Sequence, residues 1–124
     1  MSYVEGFVIP VPEAKKEAFE EHAREFDALL IEYGALRVVE CWGVDVPHGK
    51  QTDFYRSVAA TESEVVCFSW IEWPDQDTRE TQMAKVLERI ENDPRFDMTQ
   101  NPIPFDGARM IFGGFQPIVD LKGE

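Results

Sequence analysis

Along this 124-residue chain the hydrophobic spacing alternates between a period of two and a period near 3.6, and few folds accept the resulting order of elements. "SYVEGFVIPVP" alternates and is rich in Val, Ile and aromatics, which predicts a first strand stopped by prolines. From Glu13 onward Phe19, Ala23, Phe26, Leu30 and Tyr33 recur at three- and four-residue steps, so a helix follows, closed by Gly34 at the C-cap position. "ALRVVECWGVDVP" and "VVCFSWIEWP" predict two further strands, each ended by a proline. Between them residues 48–64 hold a turn, a β-like run over Asp53–Ala60 and a polar turn, the pattern of an extended hairpin arm. "DTRETQMAKVLERIEN" predicts the second helix. Asp77 and Glu80 stand at capping-box spacing, and Met83, Val86, Leu87 and Ile90 form its apolar stripe. Asp93-Pro94 stops that helix, residues 95–108 form a loop carrying Pro102 and Pro104, and Ala108–Val119 is the last strand.

Strand, helix, strand, strand, helix, strand is the split βαβ, ferredoxin-like plan of the α+β class. It implies one domain over residues 1–124, an antiparallel sheet with both helices on one face, and an opposite face left open. An uncovered apolar sheet face usually meets a partner.

Side chains alternate along a strand, so each strand divides into two sets. Val4, Gly6 and Val8 oppose Tyr3, Glu5, Phe7 and Ile9; Val39, Cys41 and Gly43 oppose Val38, Glu40 and Trp42; Val65, Cys67, Ser69 and Ile71 oppose Val66, Phe68, Trp70 and Glu72. The small sets suit close helix packing. The other sets place one carboxylate per strand, Glu5, Glu40 and Glu72, among aromatics. A helix-covered face does not normally accept three carboxylates, so Glu5, Glu40, Glu72, Trp42 and Trp70 are expected on the open face. In the last strand Met110, Phe112 and Gly114 alternate with Arg109, Ile111, Gly113 and Phe115. One glycine of the Gly113-Gly114 pair then faces each side, one admitting a helix closely and the other leaving space.

Charge narrows the possible partners. With 24 acidic and 12 basic residues the formal net charge is −12, which repels nucleic acid and anionic membranes over most of the surface. No apolar run is long enough to span a bilayer, and "MSYVEGFVIP" lacks the marks of a signal peptide, so the cytoplasm is the expected compartment. Cys41 and Cys67 sit inside apolar runs without metal-site or redox spacing and read as reduced, packed thiols.

"YGALRVVECWG", "VVCFSWIEWP" and "NPIPFDGARMIFGGFQPIV", with the opening "YVEGFVIPVP", resemble the DUF1428 family across nearly the whole chain. The resemblance implies membership of the dimeric α+β barrel superfamily, in which two ferredoxin-like sheets pack through their open faces, and hence a homodimer. That superfamily includes cofactor-independent monooxygenases, haem-dependent enzymes, isomerases, stress-related proteins and ligand-sensing domains, and fold alone does not choose among them.

The residues themselves suggest a pocket for a small hydrophobic molecule. Trp42, Trp70, Phe112 and Gly114 would line it with Glu5, and Glu40 and Glu72 would be its acid/base candidates, since a carboxyl among indoles can have its pKa raised. The same aromatics would equally serve as dimer-core packing, with the glutamates paired to Arg37, Arg56 or Arg109. Glu5, Glu40, Glu72 and His22 could together hold a divalent ion, but they form no short ligand motif, and His22 between Phe19 and Phe26 reads as a core histidine. His48 in "VPHGK" reads as a solvent-facing turn residue. No metal and no cofactor are therefore expected. An oxygenase- or isomerase-like reaction and a stress-related or structural dimer without turnover are the alternatives to simple binding.

Overall fold

A computed structural model describes residues 2–124. Strand β1 (Tyr3–Pro12) leads through a 3-10 turn (Glu13–Lys15) into helix α1 (Lys16–Glu32), and β2 (Arg37–Trp42) follows. A one-turn helix α2 (Phe54–Ser57), β3 (Glu64–Trp73), helix α3 (Gln76–Glu91), a second 3-10 turn (Pro94–Phe96) and β4 (Ile111–Phe115) complete the order. The sheet runs β2-β3-β1-β4 with every neighbouring pair antiparallel, the ferredoxin-like α+β arrangement.

Local chemistry accounts for the element ends. Gly34, at φ +114°, closes α1 in the left-handed region that favours glycine, and its N–H reaches the Ile31 carbonyl. Helix α3 begins two residues earlier than its Asp77/Glu80 spacing predicts. The Asp75 carboxylate caps it by accepting the Thr78 N–H at 2.7 Å. Strand β1 does not stop at its prolines: β4 pairs only with Val4–Val8, so beyond that point β1 has a free edge where Pro10 and Pro12 fit. The predicted last strand, Ala108–Val119, shrinks to Ile111–Phe115 because residues 106–109 form a turn, with Arg109 N–H donating to the Asp106 carbonyl. The expected extended arm is instead a loop carrying α2. Asp53 caps that turn of helix through the Arg56 N–H, and Phe54 meets Phe68 edge-on with ring centroids 6.2 Å apart.

Directly opposed residues of an antiparallel pair share a face, so the register fixes which side each residue takes. One face carries the rows Glu40–Ser69–Phe7–Phe112 and Val38–Ile71–Glu5–Gly114, and Leu29 and Leu30 of α1 with Val86 of α3 pack against Ile71 and Trp73 there. The other face carries Arg37–Glu72–Val4–Phe115, Val39–Trp70–Gly6–Gly113 and Cys41–Phe68–Val8–Ile111. The expected division therefore holds for β3 and is reversed for β1 and β2. Glu5, Glu40 and Trp42 lie on the helix side, where Glu40 on the edge strand β2 stays exposed, and Val4, Gly6, Val8, Val39 and Cys41 lie on the open side.

The glycine pair splits between the faces as the alternation requires. A Cβ on Gly114 would overlap the Tyr3 hydroxyl, so the glycine admits a tyrosine ring from the neighbouring strand rather than a helix. On the open face a Cβ on Gly113 would touch the Phe115 ring at 3.4 Å, and that ring also lies close to Gly6. Gly114→Ala is expected to cost about 1–3 kcal/mol through overpacking, and Gly113→Ala clearly less. Denaturant unfolding of the two variants checks the order, and equal losses would contradict this placement of Tyr3.

Candidate functional site

The core forms two clusters, Leu29, Leu30, Ala35, Ile71, Trp73 and Val86 on one side and Ile9, Val11, Phe19 and Cys67 on the other, with Phe7 touching both. A cavity of about 380 Å³ reaches into both of them between the sheet and the helices. That volume falls within the roughly 300–1,000 Å³ of small-molecule pockets. Its walls are mainly aromatic and aliphatic: Phe7, Phe19, Phe26, Phe96, Phe105 and Phe112, with three methionines. The 95–108 loop contributes Met98, Asn101, Ile103 and Phe105, which gives this long proline-bearing segment a structural role. Arg109 anchors the loop's far end, donating two hydrogen bonds of 2.6 and 2.7 Å to Glu64 and one of 2.8 Å to Asp106. The Arg109 guanidinium is the main cause that brings the Glu64 carboxyl down to about 2.

Two charged groupings break the apolar lining. The first is Glu5 on β1, only 5% exposed, which accepts the Trp73 indole N–H at 2.8 Å and pairs with Arg79 of α3 at 2.9 Å. Hydrogen bonding to Glu5 raises the Arg79 pKa further, so the guanidinium stays charged.

The second is Asp27 on α1 with Glu40 on β2. Asp27 follows Phe19 and Ala23 at four-residue steps and so points from α1 toward the sheet. Burial, then a hydrogen bond to Glu40 and the negative charge of Glu40, push the Asp27 carboxyl far above the carboxylate range, to about 9. Asp27 is therefore the protonated partner at neutral pH. His22, one turn earlier, lies parallel to Phe26 at 6.3 Å, and burial lowers its pKa, which leaves it neutral. The same carboxyl pair also lines an outer groove between α1 and β2, beside Trp42 and Lys16. It thus connects the interior cavity with the surface.

The residues expected from sequence separate into two places. Glu5, Glu40 and Phe112 line the cavity. Gly114 stands opposite Glu5 in the sheet, and Trp42 lies in the outer groove, with the Lys16 ammonium 5.4 Å from its ring. Trp70 and Glu72 are on the other face, where the Trp70 indole donates to Glu72 at 2.8 Å and Arg37 approaches that carboxylate at 3.8 Å. The three glutamates do not converge. Among the described residues no group of three His, Cys, Asp or Glu side chains could hold a metal ion. Cys67 is buried, its thiol pushed up to about 12 by burial, so it is a packing residue. His48 is exposed and stacks on Tyr55 at 4.3 Å.

Sequence reasoning missed Asp27 and Arg79. A signal existed for both: Asp27 interrupts the Phe19–Ala23–Phe26–Leu30 stripe, and Arg79 stands one turn before Met83 on the stripe of α3.

Fold and cavity together define a ferredoxin-like α+β protein with a helix-covered apolar pocket. The chain belongs to the family described as "Protein of unknown function (DUF1428)", whose model matches residues 2–107. It is 49% identical over 120 residues to "Uncharacterized protein YbaA" of Escherichia coli (strain K12), covering 97% of this chain and 99% of that one, and equally to YbaA of Shigella flexneri. Among solved structures it resembles a dimeric ferredoxin-like protein from an uncultured marine organism, with TM-score 0.59, 10% identity, and coverage of 97% of this chain and 98% of the other. It also resembles SnoaB, a cofactor-independent oxygenase from Streptomyces nogalater, with TM-score 0.55, 14% identity and 98% coverage of both chains. Likeness at such identities shows the shared fold. Among the described residues no helix is long and apolar enough to cross a membrane.

The raised Asp27 pKa has a definite sign in stability. The contribution of its protonated form is fully present below the ordinary carboxylate pKa near 3.8 and is lost as pH rises toward about 9. Asn at this position keeps a donor toward Glu40 and cannot ionise. Asp27→Asn is expected to be nearly neutral at about pH 4 and stabilising by several kcal/mol at about pH 8. Chemical denaturation at the two pH values checks it; an equal loss of stability at both would contradict the assignment.

Proposed function

We propose that this protein binds a small, largely apolar molecule in the cavity between sheet and helices and exchanges a proton with it through Asp27 and Glu40. The observation that carries this reading is a pair of carboxyls without an ion-pair partner among the described residues, set in a mainly apolar wall. Asp27 holds a proton that it can give, Glu40 beside it can take one, and the outer groove that exposes Glu40 links the pair to solvent. Glu40 keeps its role as an acid/base candidate, with Asp27 replacing Glu72 as its companion.

Turnover of an oxygenase- or isomerase-like kind is the enzymatic form of this proposal, since both begin with removal of a proton. A stress-related or structural dimer without turnover is the other form, and would use the cavity for binding or packing alone. A homodimer belongs to either version. The open face exposes Phe68, Ile111 and Phe115, and beyond β4 the apolar Ile118, Val119 and Leu121 are also exposed. A recess of about 970 Å³ there is lined by Trp70, Gly6 and Gly113 together with Pro117 and Val119. Apolar surface of this extent suits an isologous partner.

Native mass spectrometry of the protein incubated with a panel of small aromatic and alicyclic compounds tests both parts. The expected species is a dimer that retains a bound compound, and retention falls when Met83→Trp narrows the cavity. A dimer that retains none of them would overturn the binding role, and a monomer would overturn the use of the open face.

A further inference from the structure

Every other charged group lining the cavity already has a partner: Glu5 with Arg79 at 2.9 Å, and Arg95 with Asp93 at 2.8 Å. Both guanidinium charges are thus matched by a carboxylate, although the buried Arg79 Nε has no hydrogen-bond partner among the described residues. Asp27 and Glu40 differ, because among the described residues neither forms an ion pair with a cation. The Lys16 ammonium is drawn over the Trp42 ring instead, at 5.4 Å, and His22 is neutral. Rings of Phe19, Phe26 and Phe105 line the same cavity, and the face of an aromatic ring attracts a cation. The pair is also reachable from the outer groove between α1 and β2, on a chain whose net charge of −12 draws cations inward.

We propose that the ligand is an apolar amine bound as its ammonium ion, its nitrogen against the carboxyl groups of Asp27 and Glu40 and its hydrocarbon body among the cavity's aromatic rings. This inference rests on the cavity reading above and specifies the class of molecule. A neutral ligand would leave the pair's negative charge without a counter-charge, and an anion would be repelled by it. A cation satisfies both carboxyls. The proton now held between them would leave when the ammonium arrives, so binding is coupled to proton release. The titratable and charged groups that line the cavity and groove with Asp27 are Lys16, Glu20, His22 and Arg24 on its own helix, Glu40 and Cys41 on β2, Glu5 on β1, Arg79 on α3 and Arg95 beyond it.

Isothermal titration with naphthylmethylamine, its neutral isostere naphthylmethanol, and naphthoate tests the class. At about pH 8 the amine should bind about tenfold more tightly than the alcohol, and naphthoate should be the weakest. The amine's advantage should shrink at about pH 5, and heats in buffers of different ionisation enthalpy should show proton release. Asp27→Asn/Glu40→Gln should remove the advantage while the alcohol still binds, which separates lost recognition from lost folding. If the alcohol binds as tightly as the amine, or the amine binds without proton release, the ligand class is wrong and the cavity reading stands. If none of the three binds, both fail.

Discussion

A carboxylate buried beneath two helices must find a charged or hydrogen-bonding partner, and Glu5 imposes that condition on the rest of the architecture. It sits on β1, in the middle of the sheet, with the Trp73 indole donating from β3 and Arg79 reaching down from α3. Meeting it fixes how α3 lies on the sheet. A long arginine, rather than a short aliphatic residue, fills the space between helix and strand at that point. The two core clusters consequently meet across a cavity instead of a continuous packed layer. Breaking such a buried pair by removing one partner usually costs more than the pair itself contributes, because the remaining charge is left uncompensated.

Asp27 and Glu40 are placed in the same cavity under the opposite rule. No cation answers them, so one carboxyl holds a proton, and burial makes that partner Asp27. The contrast between the two groupings gives the cavity its chemical direction. At the Glu5 end the two charges are paired, with only the Arg79 Nε left without a hydrogen-bond partner among the described residues. At the Asp27 end one negative charge and one proton are shared, and the outer groove lets either exchange with solvent. Protonation there is destabilising to give up and easy to perturb, which is the usual condition of a group retained for binding or proton transfer. Structural ion pairs elsewhere, such as Arg109 with Glu64 and Asp106, fasten the loop that closes the cavity without entering it.

The order of elements was legible because periodicity needs only local sequence. Strand β3 could even be divided correctly, since Cys67, Ser69 and Ile71 are small enough for helix contact while Phe68, Trp70 and Glu72 are not. The same size rule failed for β1 and β2. It assumed that a helix-covered face rejects carboxylates, whereas Glu5 is satisfied by Trp73, 68 residues away in the chain, and by Arg79. Partners at that separation leave no mark on local spacing. Asp27 did leave one, as an acid in the middle of an apolar stripe. The segment at residues 53–60 misled for another reason: Phe54 and Tyr55 carry β propensity, but Asp53 caps a helical turn and Phe54 is drawn onto Phe68.

The central claim is that Asp27 and Glu40 hold one proton between them at neutral pH. The most direct measurement is the carboxyl-carbon chemical shift of Asp27, followed by NMR across the pH range with Asp27→Asn for assignment. The predicted trace has no midpoint in the ordinary aspartate region near pH 4 and changes only well above neutrality. A midpoint near pH 4 would show two ordinary carboxylates facing solvent and would contradict the account.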